Sequence, residues 1–400
     1  MARTKTTTPQ MDYGLVLVVS ILTVFGLMMI FSTTYYLSLS ADKPSYYYFG
    51  RQLAFTAIGV AAMIFLSRVE YHKWKKLSGW LLAISLILVI GVLAIGNSSF
   101  GAQRWFTKSG SGQPSELLKL ALIIYLAHWL ASRKENIKTL SLGLIPFAIL
   151  MGIASGLVVL QDDLSTSALI AITSFVMFFI AGGEIFQMIA SLGIGGAVVA
   201  FLIYQEPYRL QRITAFGKNP FANPTMQNWQ IRQTLEALGN GGVLGVGLGQ
   251  SPHKIAGIPA VHTDVVFAVV GEEMGFLGAL LLIGLFAFLA YRGMKIALNA
   301  PDVFGTLLAA GITSSIILQA LINTAVVTNT IPFTGIPLPF ISSGGSSMVV
   351  SMASIGLLLA ISRRTLPEEP AEQTQSYEID DFGRRQRRTR VPRTRRGADT

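Results

Sequence analysis

Apolar runs bounded by charge or by Gly/Pro clusters recur ten times along the chain, at roughly 13–36, 50–67, 77–96, 115–132, 140–160, 164–181, 186–204, 264–290, 303–327 and 345–362. As a helix rising about 1.5 Å per residue, a run of about 20 residues crosses a hydrocarbon layer about 30 Å thick. No run alternates as barrel strands do, and backbone groups in lipid must bond within their own segment, so each run is expected to be a helix. The pattern predicts an all-α integral membrane protein with ten transmembrane helices. It divides the chain into an N-terminal tail (1–12), a membrane domain (13–362) and a basic tail (363–400) that is too poor in apolar residues to fold.

Lys and Arg set the expected orientation. The N-terminal tail (Arg3, Lys5), the second loop (Arg68, Lys73, Lys75, Lys76), the fourth (Arg133, Lys134, Lys138) and the eighth (Arg292, Lys295) are short and basic, which assigns them to the cytoplasm. Both termini are then cytoplasmic. Segments 97–114, 205–263 and 328–344 face outward, with 205–263 as one large extracytoplasmic loop between helices 7 and 8. Composition agrees: 52% hydrophobic and 13% charged residues leave too little polar surface for a soluble globule. The net charge of +10 is accounted for by these loops and the tail, so nucleic acid is not an expected partner. There is no cysteine for a disulfide or a thiolate metal site. The first run lacks a small-residue cleavage site after it and reads as a retained span.

Against this background, charged groups inside or beside the spans stand out. Ile258 to Gly278 carries His262, Asp264, Glu272 and Glu273. From Asp264 the helically spaced Ala268, Gly271, Gly275 and Gly278 form a small-residue face for close packing. Thr263 or Asp264 could simply cap the helix. Glu272 and Glu273, about 12–14 Å further along it, could be ion-pair partners or a functional site. Arg104 and Lys108 stand at the outer interface, where Arg104 beside Trp105 suits an anchor. Glu116 and Lys119 can pair three residues apart, or Lys119 can offer a cation to an anionic headgroup. Gln161, Asp162 and Asp163 fill a tight outward turn. Arg209 and Arg212 lie three apart. Trp229 to Leu238 reads as an interfacial amphipathic helix ended by Gly239. The glycine run 239–249, placed outside the membrane, lacks the ending of a phosphate loop, so close backbone packing or a flexible gate is the better reading. His253 and His262 have no metal-ligand spacing. The proline-rich 328–347 reads as outward or re-entrant, and its serines lack a nucleophile context.

Taken in order, GAQRW and QPSELLKLAL, QDDLST, YRLQR, GVLGVGLGQS with IPAVHTDVVFAVVGEEMGFLG, and TGIPLPFISSGGSS resemble the SEDS family (shape, elongation, division and sporulation) over residues 14–363. GVGLGQS, VVGEEMG and LLLAISRR resemble its division branch more than its elongation branch. The resemblance implies a peptidoglycan glycosyltransferase that polymerises lipid II, an undecaprenyl-diphosphate-linked substrate, at the outer face of the bacterial cytoplasmic membrane and at the division septum. It implies as partners a class B penicillin-binding protein transpeptidase and other division-complex membrane proteins. Asp264 would be the catalytic carboxylate, and Arg104, Lys119, Arg209, Arg212, His262, Gln161, Asp163 and Glu272 would contact substrate. A divalent cation, Mg or Mn, could assist, and the resemblance fixes no cofactor. Where the family has Pro-Glu before His-Thr-Asp, this chain has Pro259-Ala260, and Gln-Pro-Asp-Leu-Gly-Thr is here Gln161-Asp162-Asp163-Leu164-Ser165-Thr166. A lipid II flippase, an elongation-type polymerase and a structural scaffold are the alternatives, of which only a polymerase needs a carboxylate at the outer face.

Overall fold

The computed structural model describes residues 11–40, 42–99, 102–106, 112–133, 136–216, 219–222, 226–255 and 262–364. Arg3, Lys5, Lys108, Lys134, Pro259, Ala260 and the tail from 365 onward lie outside them. All ten apolar runs form helices: α1 (Tyr13–Ser40), α2 (Tyr47–Arg68), α3 (Tyr71–Ile95), α4 (Pro114–Ser132), α5 (Ile145–Val159, entered through a π-turn at Leu140–Leu144), α6 (Leu164–Ile180) and α7 (Ile185–Gln205). Three shorter helices follow, α8 (Pro207–Phe216), α9 (Met226–Asn240) and α10 (Pro252–Ile255), and then α11 (Val266–Leu298), α12 (Val303–Val327) and α13 (Gly345–Ser362). Among the described residues nine helices are long and apolar enough to cross a membrane, which makes this a multi-pass membrane protein. The tenth, α6, has only 17 residues. Asp163 caps its start by accepting from the Thr166 amide, and Gly182, in the left-handed region at φ +94°, follows its end.

One departure from an all-helical chain is a small antiparallel pair, β1 (Asn97–Ser99) and β2 (Ala102–Trp105). At three and four residues these strands fall below any apolar periodicity that could announce them.

The helices are sorted by burial. α4, α12 and α13 are mostly enclosed, whereas α7 buries no residue and presents its apolar surface outward. In a bilayer that surface is matched by lipid. α2 lies along α13, α3 along α4, and α11 along α12. The loops predicted to share a side do meet. Arg104, Asp162, Arg209 and Arg212 join Phe333 and Asp163 at one end of the bundle. At the other end Asp12 pairs with Arg292, Tyr71 and His72 with Asp302, and Glu70 with Arg364.

The expected span 264–290 is corrected in two ways. α11 starts at Val266 and runs to Leu298, and it is broken at Gly275, whose backbone (φ 68°, ψ −167°) no L side chain adopts without strain. The break leaves carbonyls and amides without helical partners, and the glycine run supplies them. Val246 and Gly247 donate to the Glu272 and Glu273 carbonyls at 3.0 Å, while Phe276 and Leu277 donate to the Gly242 and Val243 carbonyls at 2.9 and 3.2 Å. A Cβ at Gly245 would collide with the Glu273 carbonyl. The glycine run, expected outside the membrane, therefore lies against the interior of a membrane-length helix, about 14 Å from its start at about 1.5 Å per residue. Close backbone packing is what its glycines provide. The amphipathic segment forms α9, and its apolar face packs on α11, with Leu238 over Gly271. The face read as interfacial has a protein partner.

Candidate active site

Asp264 does not cap α11. The residue in the cap position is Val265, with no side-chain cap bond. The segment from His262 to Asp264 is instead held by its three successive carbonyls. The Ser343 amide donates to His262 O at 2.8 Å, the Ser342 hydroxyl donates to Thr263 O, and Asn323 Nδ2 donates to Asp264 O at 2.7 Å. All three donors come from α12 or from the segment between α12 and α13. The same segment turns at Gly335 (φ +74°), where a Cβ would stand 3.2 Å from Asp264 Oδ2. Backbone therefore forms one wall against the carboxylate. Burial pushes the Asp264 pKa up from 3.8 to about 7, against the lowering effect of the Thr263 hydrogen bond and of the Arg104 and Arg212 charges, with Asp163 adding to the rise. A carboxylate that titrates near neutrality is suited to general-base work.

Three cations approach from two elements. β2 carries Arg104, which donates to the Asp162 carbonyl and stands 3.6 Å from Asp163 Oδ1. Arg104 Nε is buried with no partner. One turn of α8 carries Arg209 and Arg212. Arg209 donates to Asp162 Oδ1 at 2.8 Å. Arg212 donates to the Phe333 carbonyl at 3.4 Å and lies over that ring at 5.6 Å. Asp162 can serve both arginines because it sits at φ +59° in the turn before α6. Asp163 is buried and faces inward, bonded by the Thr166 amide and hydroxyl and by Gln113. Gln161 is fully buried and donates to the Val89 carbonyl at 3.0 Å, tying this turn to α3. Arginine and carboxylate thus alternate within one cluster. Such an arrangement can hold a phosphorylated ligand while an acidic group handles a proton.

Other predicted residues are placed elsewhere. Lys119 is buried and bonded to Glu116 Oε2 at 3.0 Å and to Gln319 Oε1 at 2.7 Å, as the pairing alternative has it. Glu272 is fully buried on α11 and accepts from Asn240 at 2.9 Å, from Ser251 and from His253 at 2.5 Å, so it belongs to the anchorage of α10. His262 packs at 6.3 Å against the Tyr48 ring, and burial lowers its pKa. Lys108 lies outside the described residues. Among the described residues no group of three or more His, Asp or Glu side chains is placed to hold a metal ion.

The chain matches the model of the FtsW/RodA/SpoVE family, described as cell cycle protein, over residues 13–366. The chain belongs to this family. It is the SEDS family that the motifs resemble. Stage V sporulation protein E of Bacillus subtilis is 40% identical over 365 residues, which span 90% of this chain and 98% of that protein. The probable peptidoglycan glycosyltransferase FtsW of Trichlorobacter lovleyi is 38% identical, over 88% of this chain and 93% of its own length. Among solved structures, a chain of a peptidoglycan synthase complex superposes with a TM-score of 0.72 at 27% identity, over 88% of this chain and 98% of that one.

Within this family frame, several residues that organise the site carry only a faint signal in the sequence. Asn323 and Gln319 sit inside an apolar span, where one amide every turn reads as a tolerated polar residue. Ser342, one of the serines without a nucleophile context, works as a hydrogen-bond relay: it accepts from Leu338 N at 2.8 Å and donates to Thr263 O. The usable signal was spacing, since Gln319 and Asn323 are four apart and share one helix face.

Proposed function

We propose that the protein is a peptidoglycan glycosyltransferase that polymerises lipid II at the outer face of the bacterial cytoplasmic membrane, serving septal wall synthesis in division. The observation that carries the reading is a half-buried carboxylate, Asp264, with a pKa of about 7, facing Arg104 and Arg212 at the end of the bundle where the three predicted outward segments gather. Asp264 takes the proton of an acceptor sugar hydroxyl as its oxygen bonds to the anomeric carbon of the donor. The bond from that carbon to the lipid diphosphate breaks. The negative charge that grows on the diphosphate is met by Arg104, Arg209 and Arg212. Asp163 holds Arg104 in place. A divalent cation would need ligands from substrate as well as from Asp264 or Asp163, and no step here is assigned to one. The partner is a class B penicillin-binding protein, by analogy with the synthase complex that the fold resembles.

The decisive assay incubates the purified protein with lipid II, with and without the candidate transpeptidase, and resolves glycan strands. Strands are expected. Their absence under both conditions, with lipid II instead crossing the bilayer of a reconstituted vesicle, would favour a flippase. Arg212→Ala removes one charge-assisted contact and is expected to weaken lipid II binding by about 1.5–3 kcal/mol, or roughly ten- to a hundredfold in KM. An unchanged KM would take Arg212 out of the diphosphate site.

The orientation has its own test. Because the chain has no cysteine, single cysteines at Ala222, exposed between α8 and α9, and at Lys76, exposed on the first turns of α3, report sidedness cleanly. An impermeant thiol reagent on intact cells is expected to label Ala222→Cys and spare Lys76→Cys. The opposite pattern would invert the topology.

A further inference from the structure

Two amides on one face of α12 connect the buried Lys119–Glu116 pair to the backbone beside and at Asp264. Asn323, 1% exposed, gives both hydrogens of a single nitrogen to two different segments, to Asp264 O and to Ile336 O, each at 2.7 Å. Both acceptors are carbonyl oxygens, so the nitrogen must be the atom that faces them. Asn323 Oδ1 is buried with no partner, so donation is the use this side chain is put to. One turn earlier, Gln319 Nε2 donates to the Pro337 carbonyl at 2.9 Å, and its Oε1 accepts from Lys119 at 2.7 Å. Lys119 is in turn fixed by Glu116. The neighbouring carbonyls of residues 336 and 337 are thus gripped by residues four apart on a buried helix, and Gly335, immediately before them, is the wall against the Asp264 carboxylate.

We propose that Asn323, supported by Gln319, is a positioning residue that fixes the distance between the Asp264 carboxylate and the Gly335 backbone. Its two bonds clamp the segment bearing the carboxylate to the segment forming the wall. A leucine at 323 keeps the branched outline of the side chain and gives no hydrogen bond, so both carbonyls would lose their partner and Asp264 would be tied to the wall only through the bonds that Ser343 and Ser342 make to the two residues before it. Gln319 then holds only the wall. Asp264 would gain water on the side that Gly335 now closes, while Arg104 on β2, Arg212 on α8 and Asp163 at the start of α6 stay anchored by their own contacts.

Two readouts on the full-length protein test this. The first is turnover of lipid II, which rests on the polymerase reading. Asn323→Leu is expected to lower kcat by about 10- to 100-fold, the scale on which a misplacement of about 1 Å acts, with KM unchanged within about threefold. The second does not depend on that reading. Dicyclohexylcarbodiimide attacks protonated carboxyls, and peptide mapping isolates the Asp264 adduct. In the wild type its formation should fade with a midpoint at about pH 7. In Asn323→Leu the midpoint should fall by about one unit or more as solvation relieves the burial that raised it. If Asn323→Leu does not accumulate as folded protein, Ser342→Ala, which releases the Thr263 carbonyl of the same clamp, carries both measurements with the same expected signs. A wild-type midpoint in the variant, a retained kcat, or a KM that rises in step with kcat loss overturns the proposal. Wild-type protein that makes no strands would strike the polymerase reading alone, because the labelling midpoints still decide the clamp.

Discussion

Asp264→Asn is expected to lower glycan-strand synthesis by about 10²–10⁴-fold, the range for removing a general base, while the protein inserts, folds and binds lipid II as the wild type does. The structure makes the substitution a narrow one. The bond that anchors this position uses the Asp264 main-chain carbonyl, which Asn also has. Helix capping is not at stake, because α11 begins at Val266 without a side-chain cap. What disappears is the ability to take a proton. The wild-type pH profile carries the same signature: kcat/KM should rise as Asp264 ionises, with an acid limb centred at about pH 7. Stability should move the other way. The folded-state pKa is raised, so the contribution of the protonated group is complete below pH of about 4 and is lost as pH climbs through about 7. A parallel assay of wild type and Asp264→Asn at matched protein levels, with lipid II binding measured separately, checks the rate. Strand synthesis within a few-fold of wild type would remove Asp264 from the chemistry.

The spans were legible because a run of about 20 apolar residues has few other uses, and the pairing of loops at each end followed from the alternation that such spans enforce. Two kinds of information were not legible. Helix α11 reads as one continuous apolar stretch, and only the carbonyls of Glu272 and Glu273 bonding to Val246 and Gly247 reveal that the glycine run completes a break in it. Backbone exchange of this sort leaves no side-chain pattern beyond the glycines themselves. At the site, Asp264 and the pair Arg209 and Arg212 stood out as charges in an apolar chain or at helical spacing. Arg104 read as an interfacial anchor because its partners, Asp162 and Asp163, are some 60 residues away in sequence and nothing local points to them. Asn323 and Gln319 were hidden for the opposite reason, since amides in a long apolar helix look incidental until the partners they bond are known. The Pro259-Ala260 departure lies outside the described residues, and it leaves Asp264 and Asp163 as carboxylates of the site.

Lys254→Met is expected to destabilise the protein by about 3–5 kcal/mol, the usual result of stripping one partner from a buried ion pair. Lys254 is 2% exposed in its side chain and Glu273 is fully buried; they meet at 2.7 Å. All three ammonium hydrogens are used, on Glu273 Oε1, on Ser32 Oγ at 2.9 Å and on the Gly249 carbonyl at 2.6 Å. The lysine therefore joins α1, α11 and the glycine run at the level of the helix break. Without it, a carboxylate whose second oxygen already lacks a partner is left charged in an apolar bundle. Removing both charges tests that explanation, because Lys254→Met with Glu273→Gln no longer buries an uncompensated charge and should regain at least half of the loss. Thermal unfolding followed by tryptophan fluorescence in one detergent resolves the three proteins. The order should be wild type, double variant, Lys254→Met. A double variant as unstable as Lys254→Met would mean that the Ser32 and Gly249 bonds, rather than charge neutralisation, are what Lys254 supplies.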